Sequence, residues 1–339
     1  MFSGEQSPNS ATAWSPFGKS TTFSPWSGAG LGQEYLMNDS GAISPTFGAS
    51  THRSGLTSAP SASAAAPAPS LVGSANGLQF DLIWDSSVAS APSGFIQAVK
   101  AAAQTLASLF STREVVNVDV GYGEIAGSPL GSGALGESES YGYLANYAAV
   151  TNALRGDGYS FAASNEPTGS QFFITSAETK TMGYVNPRST SLDGYVGFSS
   201  AYPMYYGTSG TPSSSQYDLY SIAEHELTEV MGRIGVEGAP MNGAATYTPL
   251  DLFHYSAPGS LTLEGNGGYF SINNGRTNLG AYNNAAANGG DIADWASSVA
   301  NNSFDAFTAP GTAGALTSND VIETAALGYK LSALGSAIA

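Results

Sequence analysis

Apolar and polar residues alternate over Leu78-Gln-Phe-Asp-Leu-Ile-Trp-Asp85, a period of two that predicts a strand. After Ser93-Gly94 the period changes. Phe95, Val99, Ala102, Leu106, Leu109 and Phe110 recur at helical spacing and mark one buried face. Val115-Val-Asn-Val-Asp-Val120 alternates again. Strand, helix, strand is a βαβ unit, so neighbouring parallel strands with a right-handed crossover are expected. Gln171-Phe-Phe-Ile-Thr175 and Gly194-Tyr-Val-Gly-Phe198 read as two more short strands. Helical spacing then returns at Leu219, Ile222, Ala223, Leu227, Val230 and Met231, with Gly232 as a stop signal. Thr317 and Asp320 have the spacing of a helix cap, and Gly328 that of a helix end.

Two stretches lack any such period. Residues 1–75 are rich in Ser, Gly, Ala and Pro, ending in Ser61-Ala-Ser-Ala-Ala-Ala-Pro-Ala-Pro69. They are expected to form a flexible leader, a linker, pro-segment or secretion segment, with His52 a solvated surface residue. The remainder, 76–335, reads as one domain with a sheet-rich upper part (76–235) and a Gly/Asn-rich lower lobe (236–335). Short apolar pieces such as Gly268-Tyr-Phe-Ser-Ile272 and Gly289-Gly-Asp-Ile-Ala-Asp-Trp295 punctuate the lobe. Its Asn, Gly and Asp would suit calcium, but no Asp-rich EF-type loop or nonapeptide repeat is present, so loop chemistry is the better reading.

Charge narrows the partners. Only 11% of the 339 residues are charged, and 26 acidic against 10 basic side chains leave a net charge of −16. Such a chain repels nucleic acid and anionic membranes and attracts cations. No cysteine is present, which excludes disulfides, thiolate metal sites and a Cys nucleophile. No apolar run is long enough to span a membrane, and Met1 to Gly30 is not built like a secretory signal. Low charge, no cysteine and abundant Gly, Ser, Ala and Asn nonetheless resemble a bacterial extracellular protein.

The candidate chemistry lies on the helix after residue 218. His225 is one of three histidines in the chain, and Glu229 stands four residues on, so both project from one face. Glu226 adjoins them. An imidazole, a carboxylate and a neighbouring second carboxylate form an H-E-x-x-E variant of the zinc-hydrolase motif H-E-x-x-H. In that reading His225 and Glu229 hold one zinc ion and Glu226 is the general base. The third ligand is expected from Tyr247-Thr-Pro-Leu-Asp-Leu-Phe-His-Tyr-Ser256. There a helical turn would put Asp251 and His254 on one side, and Tyr255 within reach of an oxyanion. Asp251 also stands where a residue would cap that turn. Arg233 would orient Glu229. The competing reading is a line of i,i+4 ion pairs, His225–Glu229 and Glu229–Arg233, with no catalytic purpose.

Ala223-Glu-His-Glu-Leu-Thr-Glu-Val-Met-Gly-Arg233, Asp251-Leu-Phe-His-Tyr-Ser-Ala-Pro-Gly259 and Asp320-Val-Ile-Glu-Thr-Ala-Ala-Leu-Gly-Tyr329 together resemble a group of bacterial predicted zincin-type metalloproteases. Phe80-Asp-Leu-Ile-Trp84 and Asp193-Gly-Tyr-Val-Gly-Phe198 are similar to that group as well. The resemblance spans about residues 78–330. It implies an α+β zincin-like fold: a twisted mixed sheet, a backing helix, an active-site helix and an irregular C-terminal lobe. It also implies a secreted zinc endopeptidase acting on protein or peptide. Two departures stand out. Glu229 replaces the second histidine of better-studied zincins, and Gly235 occupies the position of the third ligand of metzincins. The alternative is a non-enzymatic secreted or surface protein, a matrix or adhesion module on the same scaffold.

Overall fold

A computed structural model of the chain describes residues 33–38, 41–46, 65–155, 167, 170–262, 267–296 and 301–339. A hairpin of β1 (Glu34–Asn38) and β2 (Ile43–Pro45) comes first, then β3 (Ser70–Gly73) and β4 (Gln79–Trp84). Helix α1 (Phe95–Leu109) leads into β5 (Val115–Tyr122). A second small hairpin, β6 (Glu124–Ile125) and β7 (Ser128–Pro129), precedes the long strand β8 (Gly136–Ala145). Then follow α2 (Tyr147–Arg155), β9 (Ser170–Thr175), α3 (Ser176–Thr181) and β10 (Gly194–Phe198). β11 (Met204–Tyr205) pairs with β12 (Tyr217–Asp218) immediately before α4 (Leu219–Val230). The C-terminal part holds β13 (Ala239–Met241), β14 (Ala244–Tyr247), β15 (His254–Ala257), β16 (Ser260–Leu261), β17 (Tyr269–Phe270) and β18 (Gly280–Ala281). Helices α5 (Ala285–Asn288), α6 (Ser318–Ala326) and α7 (Ala333–Ile338) complete it.

The centre is one large mixed sheet in the order β13-β14-β9-β8-β10-β5-β4-β3. The expected βαβ unit forms: β4 and β5 run parallel, and α1 crosses between them. The apolar face of α1 (Phe95, Val99, Ala102, Leu106) is buried in the main core with Phe80, Leu82, Val116 and Val118. α4 packs against α1, β8 and β10, so its polar groups meet the sheet from below. Asp320 and Thr317 form the expected reciprocal cap on α6, and Gly328 follows that helix in the left-handed region. Among the described residues no helix is long and apolar enough to cross a membrane.

β8 organises the middle of the sheet, yet its sequence, Gly-Glu-Ser-Glu-Ser-Tyr-Gly, gives no apolar alternation. The inward positions are serines: Ser138 and Ser140 are buried because they face polar groups of α4. Glu139 and Ser140 pair with both β1 and β10, while Gly142 and Tyr143 pair with both β1 and β9. A strand has two edges, so β9 and β10 share one edge of β8 end to end, and β1 lies along the other.

Three expectations need correction. β1, β2 and β3 fall inside the stretch expected to be a flexible leader. Tyr35 and Met37 find an apolar cluster with Leu144, Phe173, Ile234 and Val236, contacts that no local period announces. Residues 1–32, 39–40 and 47–64 of that stretch, including His52, lie outside the described residues. The lower lobe is less irregular than expected: β13 and β14 extend the main sheet through a parallel pairing of β14 with β9. The helical turn expected to align Asp251 with His254 is a single 3-10 turn, Leu250–Phe253, and His254 already begins a strand.

Gly232 ends α4 as anticipated, at φ 113°, and a Cβ there would come within 2.4 Å of the Glu178 carboxyl carbon. Gly232→Ala is therefore expected to destabilise the fold by about 2 kcal/mol or more, from backbone strain plus overpacking. A lower urea midpoint measures it. An unchanged midpoint would show that the helix end is not confined in this way.

Candidate metal centre

α4 delivers His225 and Glu229 to one point, one turn apart. His225 Nε2 lies 3.2 Å from Glu229 Oε1 and 3.3 Å from Asp294 Oδ1. Among the described residues these three form the group whose ligand atoms converge closely enough to hold a metal ion. On the other ring nitrogen, Nδ1 is 2.9 Å from the carbonyl oxygen of Ser303. A carbonyl only accepts, so Nδ1 carries a proton there and Nε2 is left to face a second proton or a metal.

The carboxylates are held from behind. Ser138 on β8 donates to Glu229 Oε2 at 2.8 Å. Arg233, fully buried, reaches Glu229 Oε1 at 3.3 Å and Asp294 Oδ1 at 2.6 Å. Its Nε donates to the Thr228 hydroxyl, and its guanidinium lies 4.3 Å from the centre of the Phe304 ring. The Asp294 backbone carbonyl accepts from the Asn283 amide, while its neighbour Trp295 stacks on Tyr282 and donates to Asp320. Asp294 thus sits on a rigid segment although no strand or helix carries it.

Distances decide how well the donor set suits a metal. Two donors about 2.0–2.1 Å from one tetrahedral ion lie about 3.3–3.4 Å apart. The 3.2 and 3.3 Å separations at Nε2 match that spacing. They are looser than the roughly 2.7–2.9 Å of a strong charged hydrogen bond. One imidazole nitrogen and two carboxylate oxygens are also a donor set that zinc accepts.

Charge points the same way. Glu229 and Asp294 against Arg233 leave the buried cluster one positive charge short. Burial alone would push the His225 imidazole down. Asp294 and Glu229 at Nε2 outweigh it, even with Arg233 opposing, and hold its pKa well above the ordinary 6.5. Burial would raise the Asp294 carboxyl, but His225 and Arg233 hold it below its ordinary 3.8. Without a metal, a proton on His225 supplies the missing charge.

Glu226 is buried beside this group. Its carboxylate rests on the backbone of Gly136, where a Cβ would come within 2.4 Å of Oε1. A side chain at position 136 would force the Glu226 carboxylate to shift.

The other expected residues lie elsewhere. Asp251 accepts amide hydrogens from Thr248 at 2.8 Å, Glu237 at 3.2 Å and Val236 at 3.4 Å, so it ties the turn to the 236–237 segment, and no side chain caps the 3-10 turn itself. His254 has both ring nitrogens engaged, Nδ1 2.5 Å from Glu237 Oε1 and Nε2 2.8 Å from the carbonyl of Gly267. Tyr255 is buried in the small β15–β17 sheet with its ring against Gly275. None of the three joins the converging group. Arg233 does stand behind Glu229, as expected, and bridges to Asp294 as well. Asp294 itself was not singled out: it lies in a Gly/Asn-rich run with no spacing rule to tie it to α4, and only its place beside Trp295 set it apart.

No family model matches the chain, and no curated protein and no solved structure matches it.

Several buried carboxyls set the pH dependence of the metal-free protein. Burial raises Glu114, Glu224 and Glu323 from 4.5 to about 8. Each stays protonated in the fold where the unfolded chain ionises, so stability present near pH 4.5 is lost as pH climbs to about 8. His225 has the same sign: its contribution is complete below 6.5 and is lost as pH rises through its raised value. Asp294 acts oppositely, and only below 3.8. The melting temperature of chelated protein is therefore expected to fall from pH 5 to 8. Zinc should offset this at neutral pH by about 3 kcal/mol at a hundredfold excess over Kd. His225→Gln should abolish that offset. A melting temperature that rises steadily with pH would contradict the scheme.

Proposed function

We propose that the chain is a zinc-dependent metallopeptidase on a zincin-like scaffold, secreted by a bacterium, with His225, Glu229 and Asp294 as the metal-holding residues. The observation that carries this reading is the spacing at His225 Nε2, which suits two ligands of one tetrahedral ion. Zinc bound there supplies a Lewis acid that acidifies water and polarises a carbonyl. The protein's own residues do the rest. Ser303 fixes the imidazole through Nδ1, and Ser138 and Arg233 fix the carboxylates. Glu226 takes the proton of the attacking water and returns it to the leaving nitrogen. The carbon–nitrogen bond breaks, one water is consumed, and a carboxylate and an amine result.

An extended peptide is the substrate class that suits this surface. Tyr141 donates its amide to Asp193, on the β10 side. By alternation, Gly136 and Ser138 aim their N–H and C=O at the opposite edge of β8. Among the described residues no strand pairs with Gly136–Ser138 on that edge. Backbone pairing there would lay a peptide beside Glu226.

A second reading, a non-enzymatic surface or matrix protein, is favoured by the 2.6 Å Arg233–Asp294 ion pair, which closes the cluster as a structural tie. Metal content separates the two.

Glu226→Gln is expected to retain one zinc per chain and lose about 10²–10⁴-fold in kcat, the usual worth of a general base. Asp294→Ala should lose the zinc, whereas Asp251→Ala should keep it. Elemental analysis after dialysis and cleavage of a denatured protein check all three. Full activity in Glu226→Gln, or no zinc in the parent protein, sinks the peptidase reading.

A further inference from the structure

α4 holds Ser303 at two atoms. The serine carbonyl accepts from His225 Nδ1 at 2.9 Å, and its hydroxyl donates to Glu224 Oε2 at 2.7 Å. Glu224 and Ser303 are both buried, so neither group has solvent to turn to if the other is lost. Glu224 is itself anchored. Tyr220, one turn earlier on α4, donates to its carboxyl, and the Tyr220 hydroxyl lies 2.6 Å from that of Thr105 on α1. A line of side chains therefore runs from α1 through Tyr220, Glu224 and Ser303 to the imidazole.

Ser303 belongs to a segment that touches every other part of the centre. The Phe304 carbonyl accepts from the Trp295 amide at 2.8 Å, and the Trp295 carbonyl from the Ala306 amide at 3.1 Å, so the segment pairs with the residue after Asp294. The Phe304 ring lies against the Arg233 guanidinium and edge-on to His225. Asn302 accepts from the Phe304 amide at 2.7 Å and donates to Asp320 on α6 at 2.9 Å. Residues 302–306 thus form a bracket over His225, Arg233 and Asp294. Asn302 fixes it to α6, and Glu224 ties it to α4 without calling on the imidazole.

A metal at Nε2 needs the ring held in one orientation with the proton on Nδ1. If the bracket shifts, the ring turns with the Ser303 carbonyl, and the 3.2 and 3.3 Å separations at Nε2 no longer match one ion.

We propose that Glu224 is a positioning residue for the metal centre: through Ser303 it fixes the orientation of His225 and the seat of the 302–306 bracket, and so the affinity for zinc. This rests on the metal centre of the peptidase reading and adds to it a residue that touches neither metal nor substrate.

The test measures zinc Kd by chelator competition on the full chain, at a temperature where circular dichroism shows each variant folded. Glu224→Leu and Ser303→Ala should each weaken zinc binding by about 10–100-fold, the usual cost of losing a group that orients a metal-ligating histidine. Glu224→Gln keeps an oxygen that accepts from Ser303 and should bind zinc as the parent does. The double variant should be about as weak as the weaker single, because both cut one link. In ¹⁵N-histidine NMR of the zinc-loaded chain, the His225 ring signal, assigned by its loss in His225→Gln, should shift or broaden in Glu224→Leu. Glu114→Leu serves as control: that carboxyl is equally buried but bonds Thr181, so its loss should lower the melting temperature and leave the zinc Kd unchanged.

If Glu224→Leu does not fold, Ser303→Ala decides by the same measurement. Parent-like zinc affinity in the folded variants, or an equal loss in Glu114→Leu, overturns the positioning role while leaving the peptidase reading standing. So does Glu224→Gln as weak as Glu224→Leu, because the hydrogen bond to Ser303 would then not be what matters. A parent protein that binds no zinc overturns the peptidase reading and this inference with it.

Discussion

A guanidinium with no exposed surface must meet carboxylates, because leaving that charge unpaired in the interior would cost several kcal/mol. Arg233 meets two, Glu229 from its own helix and Asp294 from a distant loop. That double contact joins α4 to the C-terminal lobe, and the rest of the centre depends on it. Asp294 comes to His225 because Arg233 holds it there. Phe304, against the same guanidinium, sits edge-on to the His225 ring, and the adjacent Ser303 carbonyl fixes that ring. The cluster remains one positive charge short, so it takes a proton or a cation at Nε2. The tie between two parts of the fold and the group of side chains spaced to hold a cation are here the same object.

β8 is the second constraint. Its inward serines and Gly136 accept the polar side of α4, where a strand of ordinary apolar alternation would have buried Glu226 and Glu229 against hydrocarbon at prohibitive cost. Its other edge carries the chain's own N-terminal strand. The cluster is therefore built from α4, the 291–296 segment and the serine-bearing side of β8.

The four-residue spacing of His225 and Glu229, the position of Glu226 and the end of the helix at Gly232 were legible in the sequence, because helix geometry converts spacing into direction. So were β4, α1, β5, β9 and β10, whose burial leaves a periodic trace. β8 was not, since its inward positions are Ser and Gly chosen to suit a polar helix. β1 was not, since two buried side chains in a Ser/Gly-rich stretch make no period. Asp251 and His254 lie close after the motif, but the chain turns through a 3-10 turn into a strand and spends them on the amides of Val236, Glu237 and Thr248 and on a carboxylate–carbonyl bridge.

What the sequence determined alone is what local geometry determines: which side chains share a face of α4, where that helix stops, and which strands flank α1. What only the tertiary structure decided is the third member of the cluster and the boundary of the open edge. Asp294 and β1 reach the site through contacts between segments far apart in the chain, and such contacts are selected by how buried charge and apolar surface are satisfied globally. Spacing along the sequence carries no record of that selection.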